Sequence, residues 1–291
     1  MALWVATESL ANAWLPLPIE PSNNPSTPAK VTLGRALFHE TGLSSTDRYS
    51  CASCHQPEQH FTDGLPVAIG ATGQRHTRNT PTLYNVAYHA SYGWDDLGVT
   101  RLEAQHHRPL TSTNPLEMGF KPRLLQRLDH YEPQFVQAFG NPEISLDTVI
   151  QAIAAYVRTL RPPLSPWDRL VFFDEREAMG TDARHGMTLF FSDRLGCSGC
   201  HSSFNFSGPV RHQGTEQAPE FYRTGTGTPR QAFRAPTLRA VGYTAPYMHD
   251  GSIASLGDVL IHYEQTDAKE VPDFVLTDEE RDQLVAFLKA L

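Results

Sequence analysis

All four cysteines of this chain fall in two short stretches, CASCH at 51–55 and CSGCH at 197–201. Few features restrict a fold more, because each stretch commits two thiols and an imidazole to about one turn of chain. Three chemistries compete for that spacing. A redox CxxC pair has no use for the following histidine. A zinc ribbon takes four cysteines, but its halves ordinarily lie close in sequence, and these lie far apart. Attachment of a c-type haem uses the whole motif. Each thiol adds to one vinyl group of the porphyrin, and the adjacent histidine turns its ring under the iron. Two complete motifs with no cysteine left over predict two covalently bound haems. One is held by Cys51, Cys54 and the proximal ligand His55, the other by Cys197, Cys200 and His201.

The chain also repeats itself around these motifs. GRALF (34–38) precedes the first and GMTLF (186–190) the second. NTPTLYNVAYH (79–89) follows the first and RAPTLRAVGYT (234–244) the second, sharing P-T-L-x-x-V-x-Y. Trp94–Asp95 in one copy matches His249–Asp250 in the other. Each copy ends in a helical pattern. In SLDTVIQAIAAYVRTL (145–160), Leu146, Val149, Ile150, Ile153, Val157 and Leu160 share one face behind a Ser145 cap. TDEERDQLVAFLKA (277–290) opens with a Thr277–Glu280 capping box. No stretch alternates as a strand would. The expected fold is mostly α: two tandem cytochrome c-like haem domains with long loops. A Pro-rich extended arm (1–28) precedes domain 1 (29–163, the open, peroxidatic haem) and domain 2 (164–291, the six-coordinate, electron-transfer haem). Pro162–Pro163 and Ser165–Pro166 form the linker.

Composition narrows the partners. The 291 residues suffice for two modest cores. A net charge of −8 with no basic stripe argues against nucleic acid. No apolar run approaches the roughly 18–20 residues of a membrane span. MALWVATESL has neither a basic n-region nor a long apolar stretch, so it does not read as a signal peptide. Haem attachment takes place outside the cytoplasm, so the expected location is the periplasm, with a leader removed.

Laying the copies over one another sets Gln105 on Val259 and Pro109 on Tyr263. Proline cannot ligate a metal, whereas a tyrosine phenolate can. The first haem is therefore expected to be open and the second capped by Tyr263, with Met248 and His262 as rivals. Cleaving a peroxide needs a group that takes a proton from one oxygen and returns it to the other. Glu117 is the candidate in LEAQHHRPLTSTNPLEMGF (102–120), in an apolar setting of Leu116, Met118 and Phe120, although the residues by themselves read more simply as an ordinary surface or helix-start carboxylate. Gln105 is placed to hold peroxide or water by hydrogen bonds.

From Val31 to Leu291 these motifs resemble the bacterial dihaem cytochrome c peroxidase and MauG superfamily. The likeness rests on both CxxCH motifs, RNTPTLYN, Trp94–Asp95, NPLEMG and APTLRAVGYTAPYMHDGS (235–252). In wording it is nearest to the MbnH-like branch, where a MauG-type enzyme oxidises a tryptophan of a partner protein. The resemblance implies that Glu117 is the acid–base group, with Gln105 and Pro109 in its distal pocket. Trp94 would carry electrons or holes between the haems. A calcium ion would be held by Asn79 and the backbone carbonyls of Arg234 and Pro236. Peroxidases of the family that need prior reduction carry a removable histidine in the stretch matching VAIGATG (67–73), which has none here, although His60 and His76 flank it. The surface tryptophan that MauG has before its second motif is replaced by Leu195.

Three functions follow as expectations. The first is a peroxide-driven enzyme oxidising an aromatic (Trp) residue on a partner protein, with oxidising equivalents shared by both irons. The second is a peroxidase that detoxifies hydrogen peroxide with electrons from a small cytochrome or cupredoxin. The third is a dihaem electron carrier without catalysis.

Overall fold

The computed structural model describes residues 15–96, 98–113, 117–228 and 231–291. The architecture is mostly helical. Apart from isolated bridges, strand among the described residues is one short hairpin, β1 (Arg211–His212) against β2 (Thr215–Glu216). The first half holds α1 (Pro28–Phe38), α2 (Cys51–Cys54), α3 (Leu102–Thr111), α4 (Glu132–Phe139) and α5 (Leu146–Val157). The second holds α6 (Pro166–Phe173), α7 (Thr181–Phe190), α8 (Cys197–Cys200), α9 (Leu256–Gln265) and α10 (Asp278–Leu288).

One helix crossing organises each half. α1 packs along α5, and α7 along α10. GRALF and GMTLF each supply the glycine at the crossing. A Cβ on Gly34 would lie 1.9 Å from the Ala152 carbonyl oxygen, and one on Gly186 1.9 Å from that of Gln283. Only a hydrogen lets the two backbones approach so closely. The helix ends follow sequence chemistry. Thr27 caps α1 by accepting from the Lys30 amide, with Pro28 in the first turn. Ser145–Thr148 and Thr277–Glu280 close capping boxes on α5 and α10. The single apolar face expected of α5 proves too narrow. From Ala152 to Val157 every residue is buried, because α1 covers one side and α3 another.

Two cores result. One gathers residues from Leu33 to Leu160, with Ala240 reaching in from the second half, and the other runs from Trp167 to Leu291. The second core contains a sealed ion pair, Arg239 Nη1 to Asp168 Oδ1 at 2.6 Å. Asp168 also accepts from the Ser165 amide and hydroxyl at the start of α6. Arg239 Nε donates to the Phe204 carbonyl at 2.8 Å, which ties this pair to the loop behind the second CxxCH motif. Of the expected arm, residues 1–14 lie outside the described residues. The rest crosses both halves: the Pro16 carbonyl accepts from the Tyr88 hydroxyl, and the Leu17 carbonyl from the Gln213 amide.

Candidate haem clefts

The two CxxCH motifs fold alike. Each Cys-to-Cys segment is a single helical turn, α2 or α8, and all four thiols are free. Burial pushes the thiols up, to about 12 for Cys51 and Cys54 and about 11 for Cys197 and Cys200. The pairs sit against separate cores. Among the described residues no three His, Cys, Asp or Glu side chains gather as a zinc ribbon would require.

The proximal histidines are supported by parts of the repeat that sequence reasoning recorded but did not explain. His55 Nδ1 donates to the Phe61 carbonyl at 3.1 Å, and His201 Nδ1 to the Phe206 carbonyl at 3.1 Å. The carbonyls of Pro81 and Pro236 are second backbone partners of these rings. Thr82 then donates its hydroxyl to the His60 carbonyl at 2.7 Å, and Thr237 to the Asn205 carbonyl at 2.6 Å. The repeated P-T-L is therefore a brace: proline faces the imidazole, and threonine holds the residue before the supporting phenylalanine. Phe61 and Phe206 themselves adopt left-handed backbone conformations, φ 61° and 47°. That strain, on the order of 1–2 kcal/mol each, is what turns their carbonyls back toward the rings. Desolvation holds both imidazoles below their ordinary range, hence neutral. With Nδ1–H engaged, Nε2 keeps the lone pair that an iron would take. Thiols and a bare Nε2 fit a c-type haem at each motif, and at the second they face a largely apolar cleft.

In the first cleft α3 carries Gln105 and Pro109 one turn apart. Pro109 has no N–H for the Gln105 carbonyl, which loosens the helix there. The Gln105 Oε1 atom is buried without a hydrogen-bond partner, an orphaned acceptor of the kind a distal ligand would satisfy. Beyond α3 the chain doubles back: the Met118 amide donates to the Pro109 carbonyl and the Phe120 amide to that of Leu110. Glu117 is thereby brought beside the end of α3, and its charge acts on Cys51, Cys54 and His55. Its expected apolar setting needs correction. Met118 and Phe120 turn into the core, but the Glu117 side chain is 35% exposed and pairs with His76 at 3.3 Å. Leu116 lies outside the described residues. Of the flanking histidines, His60 stacks on Tyr243 at 4.6 Å, and His76 Nε2 lies 3.3 Å from Glu117 Oε1. His106, beside Gln105, was not singled out from the sequence. Burial pushes it down to about 4, and His55 is among the groups acting on it.

The second cleft is lined by Cys197, Cys200, His201, Met248 and Tyr263. Burial, then the neighbouring Cys200 and Cys197, pushes the Tyr263 phenol up. Of its rivals, His262 is committed elsewhere, its Nε2 bonded to the Thr224 carbonyl at 2.7 Å. Leu195 is buried in the wall. Trp94 also lines this cleft. Its indole donates to the Asn79 carbonyl at 3.0 Å, and its own carbonyl accepts from the Arg234 amide at 2.9 Å. The preceding Gly93 lies against the Gln105 side chain, so Trp94 stands where the two halves meet. Asn79, Arg234 and Pro236 line the same cleft. The Asn79 amide nitrogen donates to Leu65 and Pro66, leaving Oδ1 for a cation. The Pro236 carbonyl already serves His201 and has one lone pair to spare.

Comparison with known proteins agrees with this geometry. Residues 28–177 match the model of the di-haem cytochrome c peroxidase family. The chain is 35% identical over 286 residues to the methylamine utilization protein MauG of Methylophilus methylotrophus, across 93% of this chain and 84% of that one. The chain belongs to the di-haem cytochrome c peroxidase family. It is 31% identical over 284 residues to the cytochrome c551 peroxidase of Pseudomonas aeruginosa, across 89% of this chain and 77% of that one. The crystal structure of a MauG-like protein associated with microbial copper homeostasis superposes with a TM-score of 0.90 at 30% identity, over 96% of this chain and 93% of that one. As a member of this family the chain is a haem peroxidase-type oxidoreductase that uses hydrogen peroxide and carries two c-type haems. A purely passive electron carrier is set aside on the same ground. Among the described residues, no helix is long and apolar enough to cross a membrane.

Proposed function

We propose that this chain is a MauG-like modifying enzyme of the periplasm, which uses hydrogen peroxide to oxidise an aromatic residue, tryptophan in the first instance, on a partner protein. Bound in the two clefts, the haems would supply peroxide activation and hold the oxidising equivalents. The protein's own groups then have separate tasks. Glu117 takes a proton from one peroxide oxygen and returns it to the other, which leaves as water. Such positioned groups contribute about 10²–10⁴ in rate. Gln105 offers its orphaned Oε1 to a peroxide or water O–H. Pro109 presents no ligating atom, and so leaves room for the oxidant. Tyr263 closes the second cleft with its phenol oxygen. Trp94, at the junction of the halves, is the residue through which charge passes between them. A calcium ion beside it would draw on Asn79 Oδ1 and the Arg234 and Pro236 carbonyls.

The observation that carries this reading is the difference between the clefts. Tyr263 faces the cysteines of the second, while the matching position in the first is Pro109 within α3. Oxidation at a distance needs one centre that peroxide can reach and another that keeps its equivalents from reacting with solvent. The likeness to MauG and to the MauG-like copper-homeostasis protein supports the same reading. The likeness to the Pseudomonas aeruginosa peroxidase favours a second one, detoxification of peroxide with electrons from a small cytochrome or cupredoxin. One experiment separates them. The ferric holoprotein is mixed with stoichiometric peroxide, with and without a small reduced cytochrome, and followed optically and by low-temperature EPR. The modifying enzyme should hold its oxidised spectrum without donor and consume the cytochrome slowly. Prompt spectral decay together with rapid, multiple-turnover cytochrome oxidation would transfer the assignment to the second reading.

A further inference from the structure

The stretch between the first CxxCH motif and the P-T-L brace forms a small hairpin. The His76 amide donates to the Ala68 carbonyl at 2.7 Å, the Gly70 amide to Gln74 at 2.8 Å, and Ile69 pairs with Arg75. Gly73 turns the tip at φ 84°. The hairpin grips the residue assigned above to proton transfer at two points. The Ala71 amide donates to the Glu117 backbone carbonyl at 2.7 Å, and Ala71 is buried. The His76 ring reaches the Glu117 side chain, Nε2 to Oε1 at 3.3 Å. The other ring nitrogen fixes the tautomer. His76 Nδ1 lies 3.0 Å from the Arg78 amide, which can only donate. Nδ1 is therefore the acceptor, and the ring proton sits on Nε2, the nitrogen 3.3 Å from Glu117 Oε1.

We propose that His76 is the positioning residue for Glu117. Its Nε2–H holds Oε1 and leaves Oε2 as the one oxygen free to exchange a proton. This rests on Glu117 being the acid–base group. In the exchange, Oε2 accepts the proton from one peroxide oxygen and returns it to the other, which leaves as water when the O–O bond breaks. The two electrons that break the bond are those the family's peroxidase chemistry supplies, and the oxygen that gave up its proton stays at the site. His76 neither gains nor loses a proton over the cycle. A carboxylate that is about a third exposed would otherwise rotate freely, and only part of its time would be spent with an oxygen correctly aimed. The hairpin removes that freedom at the backbone and at the side chain together.

The test uses haem-loaded His76→Leu, His76→Gln, Glu117→Gln and the double variant His76→Leu/Glu117→Gln, with haem content and ferric spectrum matched to the parent. Two rates are read: that of the peroxide-induced spectral change, and that of cyanide binding to the ferric protein. Cyanide enters as HCN and needs the same base to take its proton, but it requires no turnover. Glu117→Gln should slow both by about a hundredfold or more. His76→Leu should slow both by about tenfold, and His76→Gln, whose amide can still donate, should restore most of the loss. In the double variant, loss of His76 should add nothing to loss of Glu117, because one acts through the other. If Glu117→Gln slows neither rate, the acid–base reading itself fails. If Glu117→Gln is slow but His76→Leu is not, or His76→Leu slows the Glu117→Gln protein by its full factor, the positioning role alone is overturned.

Discussion

Replacing Asp168 with alanine removes the partner of a sealed arginine. Arg239 and Asp168 are 0% and 1% exposed at the side chain, and Nη1 to Oδ1 is 2.6 Å. Without the carboxylate, a guanidinium is left in the second core without a counter-charge from Asp168, although the Phe204 carbonyl and the Ser165 hydroxyl still accept from it. Breaking a buried pair from one side costs about 3–5 kcal/mol. Asp168 also accepts from the Ser165 amide and hydroxyl, and losing that end of α6 adds about 1 kcal/mol. With a urea slope of about 2–3 kcal/mol per molar for a domain of this size, the midpoint of the second half should fall by roughly 1.3–3 M. Equilibrium urea unfolding of the holoprotein, followed by far-UV circular dichroism and by the Soret band, gives the number. The exposed Arg169–Glu175 pair, at 2.5 Å, is the internal control. Glu175→Ala should cost less than about 1 kcal/mol, because water screens that pair. The reasoning fails if Asp168→Ala and Glu175→Ala shift the midpoint equally. It is strengthened if Asp168→Leu/Arg239→Met, which removes both charges, recovers most of the loss.

Other outcomes follow from single observations. His106 is pushed down to about 4 by burial, and its Nδ1 donates to the Leu102 carbonyl at 2.7 Å, while an unfolded histidine titrates near 6.5. The native state thus binds fewer protons between those values. The stability involved, roughly 3 kcal/mol, is complete above about pH 6.5 and drains away as pH falls toward 4. Urea titrations at pH 7 and pH 4.5 should show this gap, and His106→Gln should narrow it. Gly186→Ala forces a methyl to within 1.9 Å of the Gln283 carbonyl oxygen. It should separate α7 from α10 at a cost of at least about 1–3 kcal/mol, read as a lower urea midpoint; an unchanged midpoint would refute the close crossing. Tyr263→Phe should alter the EPR signal of the second haem, while Met248→Leu leaves it as it was. The reverse pattern would make Met248 the ligand.

The sequence alone determined the covalent plan. CxxCH is local chemistry: its thiols and imidazole lie within about one turn, so no tertiary knowledge is needed to read two haem sites from Cys51–His55 and Cys197–His201. Helix periodicity and capping residues were equally legible, because they too act over a few positions: Ser145 and Thr277 cap α5 and α10 as their neighbours dictate. The repeat was visible as well, but its reasons were not. Gly34 and Gly186 are required by backbones about a hundred residues away in the chain, and the P-T-L threonines by carbonyls behind each histidine. The tertiary structure alone decided which polar groups meet. It gave His76 to Glu117 and His262 to the Thr224 carbonyl, and set Trp94 between Asn79 and Arg234. A contact between distant residues leaves no mark in the spacing of either, since only the folded chain fixes where their side chains come together.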